Sequence, residues 1–266
     1  MTRSGLLAVQ QPPLAPRCPL WLGGQWLGSV PAHVADALSQ ALTAETGLKL
    51  RKIELEAQVS YALEADFSCD LDGQLAVVAD TLHRLGLSGP WRHECLPVAN
   101  RDGAAVARVE RGAVRVLGLR TQAVHLVGLR PDGAVWVQQR SLTKPNDPGL
   151  WDTLMGGTVA GLETVADTLV RETWEEAGLH LAELADVAHH GHFTATRPVP
   201  DGGGAGYLVE DTHWYSATVP WGLVPVNQDG EVDHFECWPP QRVREAVAQG
   251  RFTPEAAWVL TQVLGD

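Results

Sequence analysis

Apolar positions in the second half of the chain recur with the periods of strands and helices. Apolar runs at 123–129 and 134–139 predict two strands, because the residues between them, RPDG, form a good turn sequence. Further strands are predicted at 187–196 and 212–219, a turn entering a strand at 229–238, and a flexible glycine-rich loop at 202–206. Helices are predicted at 164–177, 241–248 and 254–264. The second half therefore combines strands with helices.

The first half of the chain gives a separate set of elements. Its patterns predict a hairpin at 21–30, extended segments at 52–63 and 91–98, and helices at 32–42, 71–86 and 109–117. The last of these helices is expected to end at Gly118, since glycine readily adopts the left-handed conformation that terminates helices. We place a domain boundary just beyond it. This division predicts a smaller α+β N-terminal domain at 1–120 and a second domain at 121–266.

Composition and charge restrict the classes of partner. Apolar residues make up 45% of the 266 positions, enough for one or two domains with a core. The net charge of −12 argues against nucleic acid and anionic membranes. The four cysteines form no CxxC pair, and no apolar run has the length of a signal peptide core or a membrane span. We therefore expect a cytoplasmic protein that acts on a small molecule, with the oligomeric state left open.

The helix predicted at 164–177 carries clustered acids. At about 100° per residue, Glu172, Glu175 and Glu176 fall on one face. Like charges on adjacent turns repel, and a divalent cation between them would turn that repulsion into attraction. Oxygen ligands of this kind suit Mg²⁺ or Mn²⁺. A second face is apolar and is predicted to pack on a sheet: Ala166, Leu169, Val170, Thr173 and Ala177.

Fixed residues around these acids follow a longer pattern. The helix and the loop before it read GTVAGLETVADTLVRETWEEAGL. Acidic pairs are common on solvated helices, but here Gly157, Glu163, Arg171 and Gly178 also stand at set offsets from the acids. The run resembles the Nudix box, GX5EX7REUXEEXGU with U bulky and aliphatic, at every fixed position except Thr173. Threonine is close to valine in volume but carries a hydroxyl, so this difference concerns helix packing rather than the acids.

The resemblance implies the fold and chemistry of that superfamily. The implied fold is α/β, an α/β/α sandwich with a mixed sheet between helices. The implied reaction is Mg²⁺-dependent hydrolysis of a nucleoside diphosphate linked to another moiety, or of a related diphosphate. The implied metal ligands are the backbone carbonyl of Gly156 and the side chains of Glu172, Glu175 and Glu176. Glu172 or Glu175 is the implied base, and Glu163 and Arg171 are an implied pair that steadies the loop and helix.

Charged residues on both sides of the box are further candidates. Arg140 and Lys144 precede it, the lysine in a loop that contains prolines and a glycine. Two cations that enter an acidic metal site are suited to bind a diphosphate, although an ordinary solvated loop is the alternative. Glu231 follows the box in a predicted turn. It is either a further carboxylate near the metal or a surface acid.

Two groups of histidines do not predict a metal site. His93 stands beside Glu94 and Cys95 on an extended segment, where adjacent side chains point to opposite faces. On the strand predicted at 187–196, the same alternation would place His190 and His192 on one face and His189 on the other. Neither group is expected to converge on zinc.

Similarity outside the box points to a subfamily. The segments WRHECLPV, ARVERGAVRVLGL, AVHLVGL, QQRSLTKPNDPGLWDTLMGGTVAG and DGEVDHF resemble Nudix proteins that carry an extra N-terminal domain and are labelled thiamin pyrophosphokinase-related. This likeness suggests thiamine diphosphate or a damaged analogue as substrate. An ADP-ribose or nucleotide-sugar pyrophosphatase is the enzyme alternative. A catalytically silent Nudix fold that senses a ligand is the alternative from another class.

Overall fold

The computed structural model describes residues 9–45, 47–55, 57–65 and 70–265. Its strands are β1 Arg17–Leu22, β2 Gln25–Pro31, β3 Leu48–Leu55, β4 Gln58–Ala65, β5 Cys95–Ala99, β6 Ala105–Glu110, β7 Arg120–Leu129, β8 Val135–Arg140, β9 Trp151–Asp152, β10 Met155–Thr158, β11 Ala185–Val199, β12 Gly206–Thr218 and β13 Val232–Trp238. Its main helices are α1 Ala32–Glu45, α2 Leu71–Arg84, α3 Arg111–Val114, α4 Val165–Ala177, α5 Pro240–Ala248 and α6 Pro254–Leu264. A 3₁₀ turn, Leu181–Glu183, and a helical turn, Asp201–Gly204, complete the set.

The N-terminal elements form a sheet with helices packed against it. The strand order is β2, β1, β4, β3, in which β1 and β4 run parallel and the other neighbours antiparallel. The hairpin of β5 and β6 follows as a separate two-stranded sheet. Apolar side chains of α1 and α2 share one core with the strands, including Leu38 and Leu42 of α1 and Leu75 and Leu82 of α2. A mixed sheet and helices thus precede the second half, as predicted.

The second half is built on one seven-stranded mixed sheet. Its main order is β11, β12, β7, β8, β13, with β10 also paired to β7 and β9 to β8. β7 and β12 run parallel over ten register positions, from Val209 opposite Arg120 to Thr218 opposite Leu129. The remaining pairs are antiparallel. The central strand β7 therefore supports both the strand that leads into the box and the strand on its other side.

Helices cover both faces of this sheet. Leu169 and Ala177 of α4 share a core with Val124 and Leu126 of β7. On the other face, α5 and α6 contribute to a second core that contains Val127 of β7. Alternation along β7 sends neighbouring side chains to opposite faces, so one strand supplies both cores. This arrangement confirms the predicted α/β/α sandwich, and no helix in the described ranges is long and apolar enough to cross a membrane.

The helix predicted at 109–117 is wrong over most of its length. Val109 belongs to β6, where it pairs with Leu96 of β5, and α3 is a single turn, Arg111–Val114. The pairing partner lies in the preceding strand and not in the segment itself, so a periodicity read along that segment does not detect it. The glycine-rich stretch predicted as a loop at 202–206 contains instead the turn Asp201–Gly204 and the first residue of β12.

The apolar face of α4 is narrower than predicted. Leu169, Thr173 and Ala177 are buried as expected, but Ala166 is exposed and Val170 is 53% exposed. The Thr173 hydroxyl donates to the carbonyl of Leu169 at 2.6 Å. The residue that departs from the Nudix box pattern is therefore buried without an unsatisfied polar group.

Candidate active site

A cleft of about 670 Å³ lies where the box meets the N-terminal part of the chain. Box residues line it, and so do residues from the segment before β7, such as Arg111 and Arg115. All of the predicted site residues line this cleft except Glu163 and Glu176: Arg140, Lys144, Gly156, Arg171, Glu172, Glu175 and Glu231. Charged residues from both halves of the chain therefore surround one cavity.

The box helix α4 is fixed in position by local capping. The Thr164 side chain accepts a hydrogen bond from the backbone of Asp167, whose carboxylate accepts one from the Thr164 backbone in return. At the other end, Gly178 adopts a left-handed conformation with φ of +62°. A Cβ there would lie 2.5 Å from the carbonyl oxygen of Val226, so both backbone conformation and space favour glycine. These ends set the rotation at which α4 presents its glutamates.

Glycine at position 157 makes room for a glutamate. Gly157 lies on β10, opposite Val124 of β7. A Cβ at this position would lie 2.2 Å from Cδ of Glu172, closer than nonbonded atoms approach. The backbone of β10 and the Glu172 carboxyl can therefore pack together only because residue 157 has no side chain.

Arg171 connects three acidic side chains of the box. Its guanidinium donates to both oxygens of Glu163, at 2.7 and 2.9 Å, and to Glu172 at 2.8 Å and Glu175 at 2.7 Å. The hydroxyl of Thr168 also donates to Glu163, at 2.9 Å. These hydrogen bonds, that of Arg171 first, hold the pKa of Glu163 below its ordinary value despite partial burial. The structure thus brings together the predicted Glu163 and Arg171 pair.

Glu176 is the most deeply buried of the three glutamates, with 1% exposure. One of its oxygens accepts from the Gln138 side chain at 2.8 Å and from the Gly156 backbone N–H at 2.9 Å. The other accepts from Lys144 Nζ at 3.0 Å. A buried carboxylate needs such donors to offset its lost hydration. These three donors therefore hold the Glu176 carboxylate in place.

Lys144 lies between two carboxylates. Besides Glu176, its ammonium contacts Glu231 at 2.6 Å. Burial lowers the pKa of Lys144, but the two carboxylates outweigh burial and the net shift is upward. The same contact with Lys144 outweighs the burial of Glu231 and lowers the pKa of that carboxyl. Glu231, predicted either near the metal or on the surface, lies at the edge of the cleft with its side chain 57% exposed.

Arg140 is held by groups of the strand–loop region. It donates to Asp152 at 3.1 Å and to the carbonyl of Asn146 at 3.2 Å, while its Nε is buried with no hydrogen-bond partner among the described residues. Asp152 also lies 3.4 Å from His125, which faces Gly156 across the ladder between β7 and β10. The sequence reasoning missed His125, Asp152 and Gln138. For His125, the available signal was a polar residue within the apolar run predicted as a strand at 123–129.

The chemistry of the donor set fits a hard divalent cation. The three glutamates offer only oxygen atoms, and burial together with the charge of Glu176 raises the pKa of Glu172 to about 8. In the described ranges, however, no group of three His, Cys, Asp or Glu residues converges on a point suited to a metal ion. Glu172 and Glu175 are directed to Arg171, and Glu176 to Lys144. The carboxylates are thus neutralised by side-chain cations in this conformation.

The histidines of β11 differ from the prediction. A register shift between His189 and Gly191 interrupts the alternation, because His190 is an extra residue between the pairs His189–Tyr215 and Gly191–Trp214. Gly191 beside it has a φ of +117°. His189 and His192 therefore both lie beside His213, with ring centroids 5.6 and 5.1 Å away, while His190 stacks on Trp214. The prediction that His190 and His192 share a face is wrong. None of the described histidines forms a metal-binding group.

Comparison with known proteins places this site in a family. The NUDIX domain matches residues 119–256. Nudix hydrolase 24, chloroplastic, of Arabidopsis thaliana is 33% identical over 190 residues, covering 67% of this chain and 49% of that protein. Nudix hydrolase 20, chloroplastic, of the same plant is 32% identical over 190 residues, covering 66% and 48%. The chain thus spans about half the length of the curated relatives it matches.

A solved structure supports the fold independently. The crystal structure of DR0079 from Deinococcus radiodurans superposes with a TM-score of 0.52 at 20% identity, over 64% of this chain and 98% of that one. At this identity the likeness concerns the fold alone. The match to the NUDIX domain at residues 119–256 covers more than half of the 266 positions, and the chain therefore belongs to the Nudix family.

Proposed function

We propose that this chain hydrolyses a diphosphate linkage in a small molecule with the help of Mg²⁺ or Mn²⁺. The observation that carries the proposal is the position of Glu172 and Glu175 on the wall of a polar cleft, beside the buried Glu176 and a glycine of β10, Gly157, that leaves room for Glu172. Family membership and the oxygen-only donor set support the same reaction class.

Each group of residues has a separate task in this reaction. The Gly156 carbonyl and the carboxylates of Glu172, Glu175 and Glu176 would hold the cation. When bound, it neutralises phosphate charge and lowers the pKa of a coordinated water. Glu172 or Glu175 accepts the proton of the attacking water while one bridging P–O bond breaks. Glu163 holds Arg171 in place through two hydrogen bonds, and so steadies α4.

Arg140 and Lys144 are proposed to bind the diphosphate oxygens. Both residues line the cleft. Arg140 is the last residue of β8, and Lys144 lies in the loop after it. Lys144 currently contacts Glu176 and Glu231, so its ammonium is available to a phosphate once a cation replaces it beside Glu176. Glu231 would then be a further carboxylate at the edge of the metal site.

The substrate is proposed from the sequence likeness. Similarity to the thiamin pyrophosphokinase-related subfamily favours thiamine diphosphate or a damaged analogue, with release of the monophosphate. ADP-ribose or a nucleotide sugar is the second candidate, since most residues that line the cleft are polar or charged. We propose cytoplasmic action, although two matched plant proteins are named chloroplastic.

Product analysis tests the reaction class. The purified chain is incubated with Mg²⁺ and a panel that contains thiamine diphosphate, ADP-ribose and a nucleotide sugar, and the products are separated by chromatography. Cleavage of at least one compound that stops on chelation is expected. Binding without turnover across the panel would contradict hydrolysis and favour a ligand sensor.

Substitution of the acids tests their roles. Glu176→Gln is expected to lower turnover by roughly 100-fold or more, because the carboxylate charge is lost at a buried metal site. Glu54→Gln, at an exposed position of β3, is the matched control and retains activity. Retained activity in Glu176→Gln would refute its role as a ligand. An unchanged rate in Glu231→Gln would assign Glu231 to the surface.

A further inference from the structure

Arg115 is a cleft arginine whose hydrogen-bonding groups are largely unused. Its side chain is 20% exposed, and its nearest acid is Asp201 at 3.8 Å, beyond hydrogen-bond distance. In the part of the chain that the structure describes, its guanidinium makes no hydrogen bond. By contrast, Arg197 on the same cleft donates to both Glu255 and Asp147 at 2.9 Å. Arg115 therefore retains donors for a ligand in the cleft.

Glu210 is a deeply buried acid on the same cleft. It is 8% exposed, and its single hydrogen bond within the described ranges comes from the Thr121 hydroxyl at 3.5 Å. Burial raises the pKa of Glu210 against the opposing charge of Arg115. The carboxyl oxygens accept hydrogen bonds from donors such as hydroxyl groups. A buried carboxyl with so few partners is costly unless a ligand supplies them.

The register along β7 gives the separation between Glu210 and the box. Glu210 stands opposite Thr121 on β7, and Gly157 stands opposite Val124 on the same strand. Three residues along a strand correspond to about 10 Å. One molecule can therefore present its diphosphate to the box glutamates and an attached group to Arg115 and Glu210.

The lining of the cleft selects the chemistry of that attached group. None of the described residues that line it is Phe, Tyr or Trp. Flat heterocycles usually bind in apolar, aromatic-lined pockets, where stacking contributes about 1–3 kcal/mol per base. A hydroxylated group needs no stacking platform, because each hydroxyl both donates and accepts hydrogen bonds. A guanidinium beside a carboxyl offers both kinds of partner.

We propose that Arg115 and Glu210 form a subsite that binds a sugar-like, hydroxylated group attached to the diphosphate. The inference rests on the proposed diphosphate hydrolysis. Of the proposed substrates, it favours those that carry a sugar over thiamine diphosphate, whose attached group is heterocyclic. Arg115 precedes residue 119, where the NUDIX match begins, so the segment leading out of the N-terminal part completes the substrate site. Arg115 donates to acceptor oxygens of the group, and Glu210 pairs with its hydroxyls.

A matched pair of substrates tests this subsite. The glucosyl methyl diester and the cyclohexyl methyl diester of diphosphate have similar size and differ in the hydroxyl groups and ring oxygen of the sugar. With Mg²⁺, the wild type is expected to show at least a tenfold higher kcat/KM for the glucosyl compound. Arg115→Met and Glu210→Met are each expected to reduce this preference at least fivefold, mainly by raising KM for the glucosyl compound. Arg101→Met, which removes an exposed arginine outside the cleft, leaves the preference unchanged.

The outcomes separate the subsite from the reaction. An equal kcat/KM for both compounds in the wild type would overturn the subsite, as would an equal loss for both compounds in the two cleft variants. Circular dichroism identifies a variant that fails to fold, in which case the other variant decides. If the wild type cleaves neither compound, the substrate panel described above decides whether the proposed hydrolysis fails. Calorimetric binding of the same two compounds then decides the subsite by the same tenfold and fivefold criteria.

Discussion

Replacement of Lys144 by methionine is expected to make the stability of the protein depend on Mg²⁺. Lys144 is 10% exposed and contacts Glu176, which is 1% exposed, at 3.0 Å. Methionine keeps the length of the side chain but removes its charge. The carboxylate of Glu176 then loses its cation while it stays buried, and only the neutral donors of Gln138 and Gly156 remain.

The size of this effect follows from burial. Removing one partner of a fully buried ion pair costs about 3–5 kcal/mol. Two hydrogen bonds to Glu176 remain and the lysine is partly accessible, so we expect about 2–4 kcal/mol without metal. A cation that binds at the same carboxylate restores the missing charge. At 100 times its dissociation constant, binding to the folded state adds about 2.7 kcal/mol.

Urea denaturation with and without Mg²⁺ measures both quantities. Lys144→Met should be less stable than the wild type in chelator, and Mg²⁺ should stabilise the variant more than the wild type, whose lysine already neutralises Glu176. Lys52→Met, at an exposed position of β3, is the control and is expected to change stability by less than about 0.5 kcal/mol. Equal stability of Lys144→Met and the wild type in chelator would refute the reasoning, and so would an equal gain from Mg²⁺.

Three further substitutions test the box. Gly157→Ala is expected to lower turnover about 100-fold at unchanged helix content, because its Cβ would displace Glu172; unaltered turnover would contradict this. Glu163→Gln should cost about 1 kcal/mol in urea denaturation by loss of the partly exposed Arg171 pair. The pKa of Glu163 is lowered in the folded state, so the stability difference between wild type and variant is present above the ordinary pKa of 4.5 and vanishes as the pH falls through the folded pKa. A stability difference that grows on acidification would refute this assignment. Thr173→Val restores the aliphatic residue of the motif and should change stability by less than about 1.5 kcal/mol with turnover retained; a larger loss would show that the hydroxyl matters.

Local features of the sequence determined the box helix. Its two ends are capped by residues within or next to the helix, Thr164, Asp167 and Gly178, so its limits follow from contacts between near neighbours. The spacing of the acids then fixed their common side. The pair of Glu163 and Arg171 also lies within this one segment. Such features can be read from sequence because they need no knowledge of the rest of the fold.

Tertiary structure alone decided the environment of each acid and the shape of the cleft. Glu172, Glu175 and Glu176 are equivalent in the helical pattern, yet Glu176 is buried and Glu175 has a 41% exposed side chain, because strands and a loop from elsewhere cover only part of the helix. The pairing of β5 with β6 replaced only the start of the helix predicted at 109–117, and this pairing too depends on a second segment of the chain. Arg115 and Glu210 line the same cleft only through the packing of distant segments, which a pattern along the chain does not encode.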